Sequence, residues 1–208
     1  YKLDGGYEVF PLTAGSGNYT IGVYEKISGN QYATALNEQM RITIKNEFGP
    51  YLYPNQYVNF TAQSQVVNKA QALAASADSD IDVVTSVYNY IIDNISYDYD
   101  KAKSVTSGYL PDVDTVLSSQ KGICFDYAAV MTAMLRSQRI PTRLEVGYMG
   151  DVYHAWISIY TKETGWVNGI IKFDGKNWEL MDPTFASTSK SPKNFTSENS
   201  KYTTKYVY

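Results

Sequence analysis

Gln120-Lys121-Gly122-Ile123-Cys124-Phe125-Asp126-Tyr127-Ala128-Ala129-Val130-Met131 decides how this chain is read. Gly122 marks a turn just ahead of a run whose apolar residues, Tyr127, Val130, Met131, Met134 and Leu135, fall three or four apart. That spacing predicts a helix that starts at about Cys124 and buries one face. Cys124 is the only cysteine. In the first turn of a helix a thiol meets backbone N–H groups without helical partners and the positive end of the dipole, and both favour the reactive thiolate. Asp126 is read as a first-turn acid and Arg136 as a helix-end base, both structural, and Pro141 stops the helix.

Downstream, 143–148 and 153–160 alternate as two strands around a turn at Gly150-Asp151. Asp174-Gly175 is a strong hairpin signal between arms at 169–173 and 178–181, and Asp182-Pro183 ends the second arm. From Ser187 the chain is a polar tail before a last short segment at 206–208. The only histidine, His154, falls on the second strand. With the sheet against the helix, His154 serves as base to Cys124, and Asp182 accepts the other ring N–H and fixes the imidazole. The Cys124 backbone N–H is available to an oxyanion.

Upstream, Val66, Val67, Ala70, Leu73 and Ala74 predict one core helix within 61–75, and Val83, Val84, Val87, Tyr88, Ile91 and Ile92 a second that begins at an Asp80 cap. Residues 97–111 read as a Tyr- and Gly-containing loop, either a solvated connection or a wall beside a cleft, and Val113, Val116 and Leu117 as a helical turn. Before residue 44, segments at 7–10, 19–25 and 40–44 between Gly and Asn turns predict three or four antiparallel strands, joined onward by the Pro-containing connector 49–55. The expected architecture is α+β, with a small β-rich region at 1–60 and a main domain at 61–208.

Gly122-Ile123-Cys124, the run Met134 to Arg143, Tyr153-His154-Ala155-Trp156 and Met181-Asp182-Pro183-Thr184 together resemble the transglutaminase-like core of the papain-related cysteine enzymes, over about 62–186. The resemblance implies a nucleophile helix packed on an antiparallel sheet, with Cys124, His154 and Asp182 as the triad. It implies acyl transfer from an amide through a thioester at Cys124, released to an amine or to water. Relatives take a second oxyanion donor from a side chain outside the helix, for which Gln120, Tyr109 and Tyr97 are the candidates. Trp156, on the strand face of His154, is a candidate shield of the cleft from water. The nearest likeness is to bacterial, surface-exported members.

Composition narrows the partners. A net charge of -3 without clustered Lys and Arg argues against nucleic acid, and no apolar run reaches the length of a membrane span. Twenty tyrosines beside one cysteine and one histidine suit an exported protein, and the start at Tyr1 suits a processed piece without its signal peptide. No cofactor or metal site is expected, although calcium on carboxylates stays open; the expected partner is a peptide or protein, cell-wall or surface proteins included. The duller alternatives are a buried thiol, a strand histidine and a turn aspartate. The alternative function is a non-catalytic cell-surface binding or scaffolding module that keeps the same fold and the triad.

Overall fold

The structure, a computed structural model, describes residues 1–3, 5–167, 171–173, 178–180 and 202–208, the side chains of 171–173 and 178–180 excepted. Cys124 is the first residue of the central helix, Cys124–Ser137, which we call α5. Its residues from Asp126 to Arg136 are all buried, because helices cover it on one side and a sheet on the other. The helices are α1 (Gln65–Ala74), α2 (Asp80–Asn94) and α4 (Val113–Ser119), and each presents to α5 the apolar positions that its spacing predicts. The cap of α2 is Ser79 rather than Asp80, since the Ser79 side chain accepts the Asp82 N–H. Asp114 of α4 caps α1 from a distance, with its carboxylate oxygens each 3.0 Å from the N–H groups of Gln65 and Val66.

The sheet runs in the order β10 (Tyr202–Val207), β5 (Thr142–Met149), β6 (Val152–Thr161), β7 (Gly165–Val167), antiparallel throughout. The expected strands at 143–148 and 153–160 are β5 and β6; β10 extends the short terminal segment into an edge strand against β5. β8 (Ile171–Phe173) and β9 (Trp178–Leu180) pair antiparallel, as expected of the two arms. The expected turn at Asp174-Gly175, residues 169–170 of the first arm, Met181, Asp182-Pro183 and the tail from 187 to 201 lie outside the described residues.

Two predicted features differ. The N-terminal region holds two strands rather than three or four, β1 (Gly17–Ser28) and β2 (Gln31–Ile42), paired with each other alone. Tyr7 to Phe10 is β-like in composition but finds no neighbour with which to form a ladder. The predicted loop at 97–111 contains a helix, α3 (Tyr99–Ser104), capped by the Asp98 side chain on the Lys101 N–H. None of its residues is buried, so no apolar periodicity announced it. Just ahead of it, β3 (Ser96–Tyr97) pairs in parallel with β4 (Lys121–Gly122), which ties this segment to the approach to α5.

Candidate active site

Ile123 precedes α5 in an extended conformation, φ -95° and ψ 176°, and both sides of this residue are held. Its N–H donates to Asp126 Oδ2 at 2.9 Å, and its carbonyl accepts the Tyr127 N–H at 3.0 Å. The Ile123–Cys124 peptide is therefore fixed, with the Cys124 N–H directed out of the helix start, opposite to its carbonyl. Cys124 itself is half-buried against the core. Gly122 is a packing requirement: a Cβ there would stand 2.7 Å from Asp126 Cβ and 3.3 Å from Val116 Cγ1. Tyr97 is in register with Gly122 across the β3–β4 pair.

Asp126 is more than a dipole acid. It is fully buried and gathers a network from the segment before α4. Lys101 Nζ donates to Asp126 Oδ2 at 2.7 Å, Tyr109 Oη donates to Asp126 Oδ1 at 2.5 Å, and Lys101 Nζ also reaches Tyr109 Oη at 2.5 Å. Burial, then the hydrogen bond to Asp126 and its charge, push the Tyr109 phenol far above its ordinary value. In this arrangement the Tyr109 hydroxyl hydrogen is directed to Asp126. Gln120 is exposed, ends α4 in a left-handed conformation at φ 54°, and gives its carbonyl to the Ser96 N–H and hydroxyl.

His154 is buried at the start of β6, opposite Gly147 of β5. The short connection from α5 to β5, and the bonds from Arg136 near the end of α5 to the Thr142 carbonyl at the start of β5, make β5 double back along the helix. Alternation along β6 sends Ala155, Ile157 and Ile159 into the core shared with α5, and His154, Trp156 and Ser158 to the other face. On that face the Trp156 ring lies parallel to the imidazole within 24°, at 6.4 Å between centroids, and meets Tyr202 edge-on at 4.9 Å. Glu145 is buried there, with its carboxylate taking hydroxyl hydrogen bonds from Ser158 and from Thr204, the latter at 2.6 Å. Cys124 thus opens α5, and the His154 imidazole lies on the face of β6 turned from the α5 core. Asp182 lies outside the described residues. Among the described residues, no three His, Cys, Asp or Glu side chains are grouped to hold a metal ion.

Sequence reasoning missed two groups. The Asp126 network depends on Lys101 and Tyr109, distant in sequence; the one available signal was an acid three residues past the Ile123 cap, as in a capping box. Arg136 is 1% exposed, and its guanidinium donates to the carbonyls of Thr142, Tyr53 and Tyr208. Burial lowers its pKa to about 9, with Tyr51 and Tyr1 acting against the fall, which leaves it cationic at neutral pH.

Residues 67–169, which run from within α1 past β7 and hold Cys124 and His154, match the family model of the transglutaminase-like superfamily. This segment belongs to the transglutaminase-like superfamily. The chain is also similar to the uncharacterized protein YebA of Bacillus subtilis, 25% identical over 89% of this chain, and to the UPF0252 protein of Methanocaldococcus jannaschii, 31% identical over 40% of it. It spans about a quarter of the length of these curated relatives, 25% and 27%. Among solved structures, the periplasmic domain of TgpA from Pseudomonas aeruginosa is similar at a TM-score of 0.46 and 19% identity, over 62% of this chain and 46% of that one. No helix among the described residues is long and apolar enough to cross a membrane.

Proposed function

We propose that this chain is a cysteine acyl-transfer enzyme that acts on peptide or protein amides through a thioester at Cys124. One observation carries the reading: in a segment of the transglutaminase-like superfamily, the only thiol of the chain is the first residue of the buried central helix, beside a fixed backbone N–H. His154, on β6, is the proposed base to the thiol, and Asp182 the proposed orienter of the imidazole. In the reaction the Cys124 thiolate adds to the amide carbonyl and the oxyanion is held by the Cys124 N–H. The C–N bond then breaks as His154 protonates the leaving amine, and an amine or water releases the acyl group. Tyr97 is the proposed source of the second oxyanion contact, because its register beside Gly122 puts it next to the helix start.

The proposed setting is extracytoplasmic, with peptide or protein substrates at the cell surface and residues 1–60 as an appended β region. The test is incubation with a glutamine peptide and a labelled primary amine, wild type against Cys124→Ala. Thiol-dependent incorporation of label identifies a transferase, and thiol-dependent ammonia release or cleavage without label a hydrolase. Absence of both overturns the enzyme reading and leaves a binding module.

A further inference from the structure

We propose that Asp126, clamped by Lys101 and Tyr109, is a positioning residue that presets the Cys124 N–H as an oxyanion donor. The inference rests on Cys124 as nucleophile and goes beyond it by assigning the device that orients the oxyanion hole. An oxyanion contact is effective when the donor is aimed before charge develops, so the orientation of one peptide plane is at stake. That plane is the Ile123–Cys124 peptide. Its carbonyl is held by the Tyr127 N–H, and the preceding N–H, on Ile123, is held by Asp126 Oδ2. With both ends of Ile123 restrained, the Cys124 N–H has one direction, outward from the helix start.

The carboxylate that does this cannot swing away. Lys101 Nζ bonds the same Oδ2 at 2.7 Å, Tyr109 Oη bonds Oδ1 at 2.5 Å, and the ammonium lies 4.4 Å from the centre of the Tyr109 ring. Lys101 also offsets a charge that, unpaired, would be costly to bury and would oppose a thiolate two residues away. The clamp comes from α3 and the segment after it, and α3 itself has no buried residue. Burial alone does not explain a fully desolvated carboxylate at this position, whereas control of the helix start does.

The experiment compares two reactions of the one thiol. Acylation by p-nitrophenyl acetate passes through a tetrahedral oxyanion: the C–S bond forms, the ester C–O bond breaks and p-nitrophenolate leaves. Alkylation by iodoacetamide displaces iodide at a saturated carbon and forms no oxyanion. Asp126→Ala is expected to lower the acylation rate at least about tenfold while alkylation stays within about twofold, since misaiming a single donor costs part of the 10²–10³ that losing it does. Asp126→Asn keeps an oxygen for the Ile123 N–H and is expected to recover most of the acylation rate. Tyr109→Phe, which removes the hydroxyl's bonds to Asp126 and Lys101 at a half-buried site but leaves the Lys101–Asp126 pair, is expected to lower the ratio of acylation to alkylation less and serves if the alanine variant does not fold. An unchanged ratio in these variants, or parallel losses in both reactions, overturns the proposal. Acylation that persists in Cys124→Ala instead overturns the nucleophile assignment, so the two failures are distinguishable.

Discussion

Arg136→Met removes the guanidinium of the largest fully buried side chain in the described structure while keeping most of the apolar stem. Three carbonyls lose a donor: Thr142 at the start of β5, Tyr53 in the connector, and Tyr208 beyond β10. The Tyr208 carbonyl retains the Leu144 N–H at 3.1 Å, so the change bears chiefly on the other two. Buried acceptors without partners cost about 1–3 kcal/mol each, which gives about 2–6 kcal/mol. Relief from holding a charge away from water, with only carbonyl dipoles around it, offsets part of this, and we expect a net loss of about 2–4 kcal/mol. For a chain of this size that lowers the midpoint of thermal unfolding by about 4–16 °C. Arg136→Lys separates fork geometry from charge: one ammonium cannot reach three carbonyls on different segments, yet it still bears the burial cost, so it should be at least as destabilising as Met. The assay is calorimetry or circular dichroism on all three proteins. A lysine variant close to wild type would refute the argument that the planar fork joins these segments.

Gly147→Ala would put a Cβ 2.0 Å from the Thr203 carbonyl oxygen, a contact that only backbone movement can relieve. It is expected to detach β10 from β5, detected as faster hydrogen exchange in 202–207 with α5 still protected; unchanged exchange contradicts the close approach. Alkaline pH should unfold the protein through its tyrosines. Burial raises Tyr1 to about 12 and pushes Tyr109 and Tyr208 higher still, while unfolded phenols ionise near 10. An acid with a raised folded pKa contributes stability below its unfolded value and loses it as pH climbs, so the unfolding temperature should fall progressively above pH 10. Tyrosinate absorbance should show a class titrating above pH 11 that is lost on unfolding. A single class near 10, with a flat unfolding temperature, removes this linkage.

The start of α5 was legible in the sequence because two local signals agree there, a glycine turn and apolar spacing at three and four, and both depend only on near neighbours. Strands β5 and β6 were legible for the same reason, as was the shared face of His154 and Trp156, which follows from a period of two. What the sequence hid depends on distant partners. Asp126 and Arg136 look like ordinary dipole residues until Lys101, Tyr109, Tyr53 and Tyr208 are brought to them by the fold. Helix α3 carries no apolar stripe, and β10 gains its length from a neighbour, β5, far earlier in the chain. Tyr7 to Phe10 shows the converse, a β-like composition without a ladder to join.

The central claim is that Cys124 and His154 act together, and alkylation of the single thiol tests it most directly. Iodoacetamide should modify Cys124 near neutral pH faster than it modifies a small-molecule thiol, and His154→Ala should remove that excess while leaving the fold intact by circular dichroism. A rate equal to that of the free thiol, indifferent to His154→Ala, would contradict the thiolate–imidazole pair on which the proposed chemistry depends.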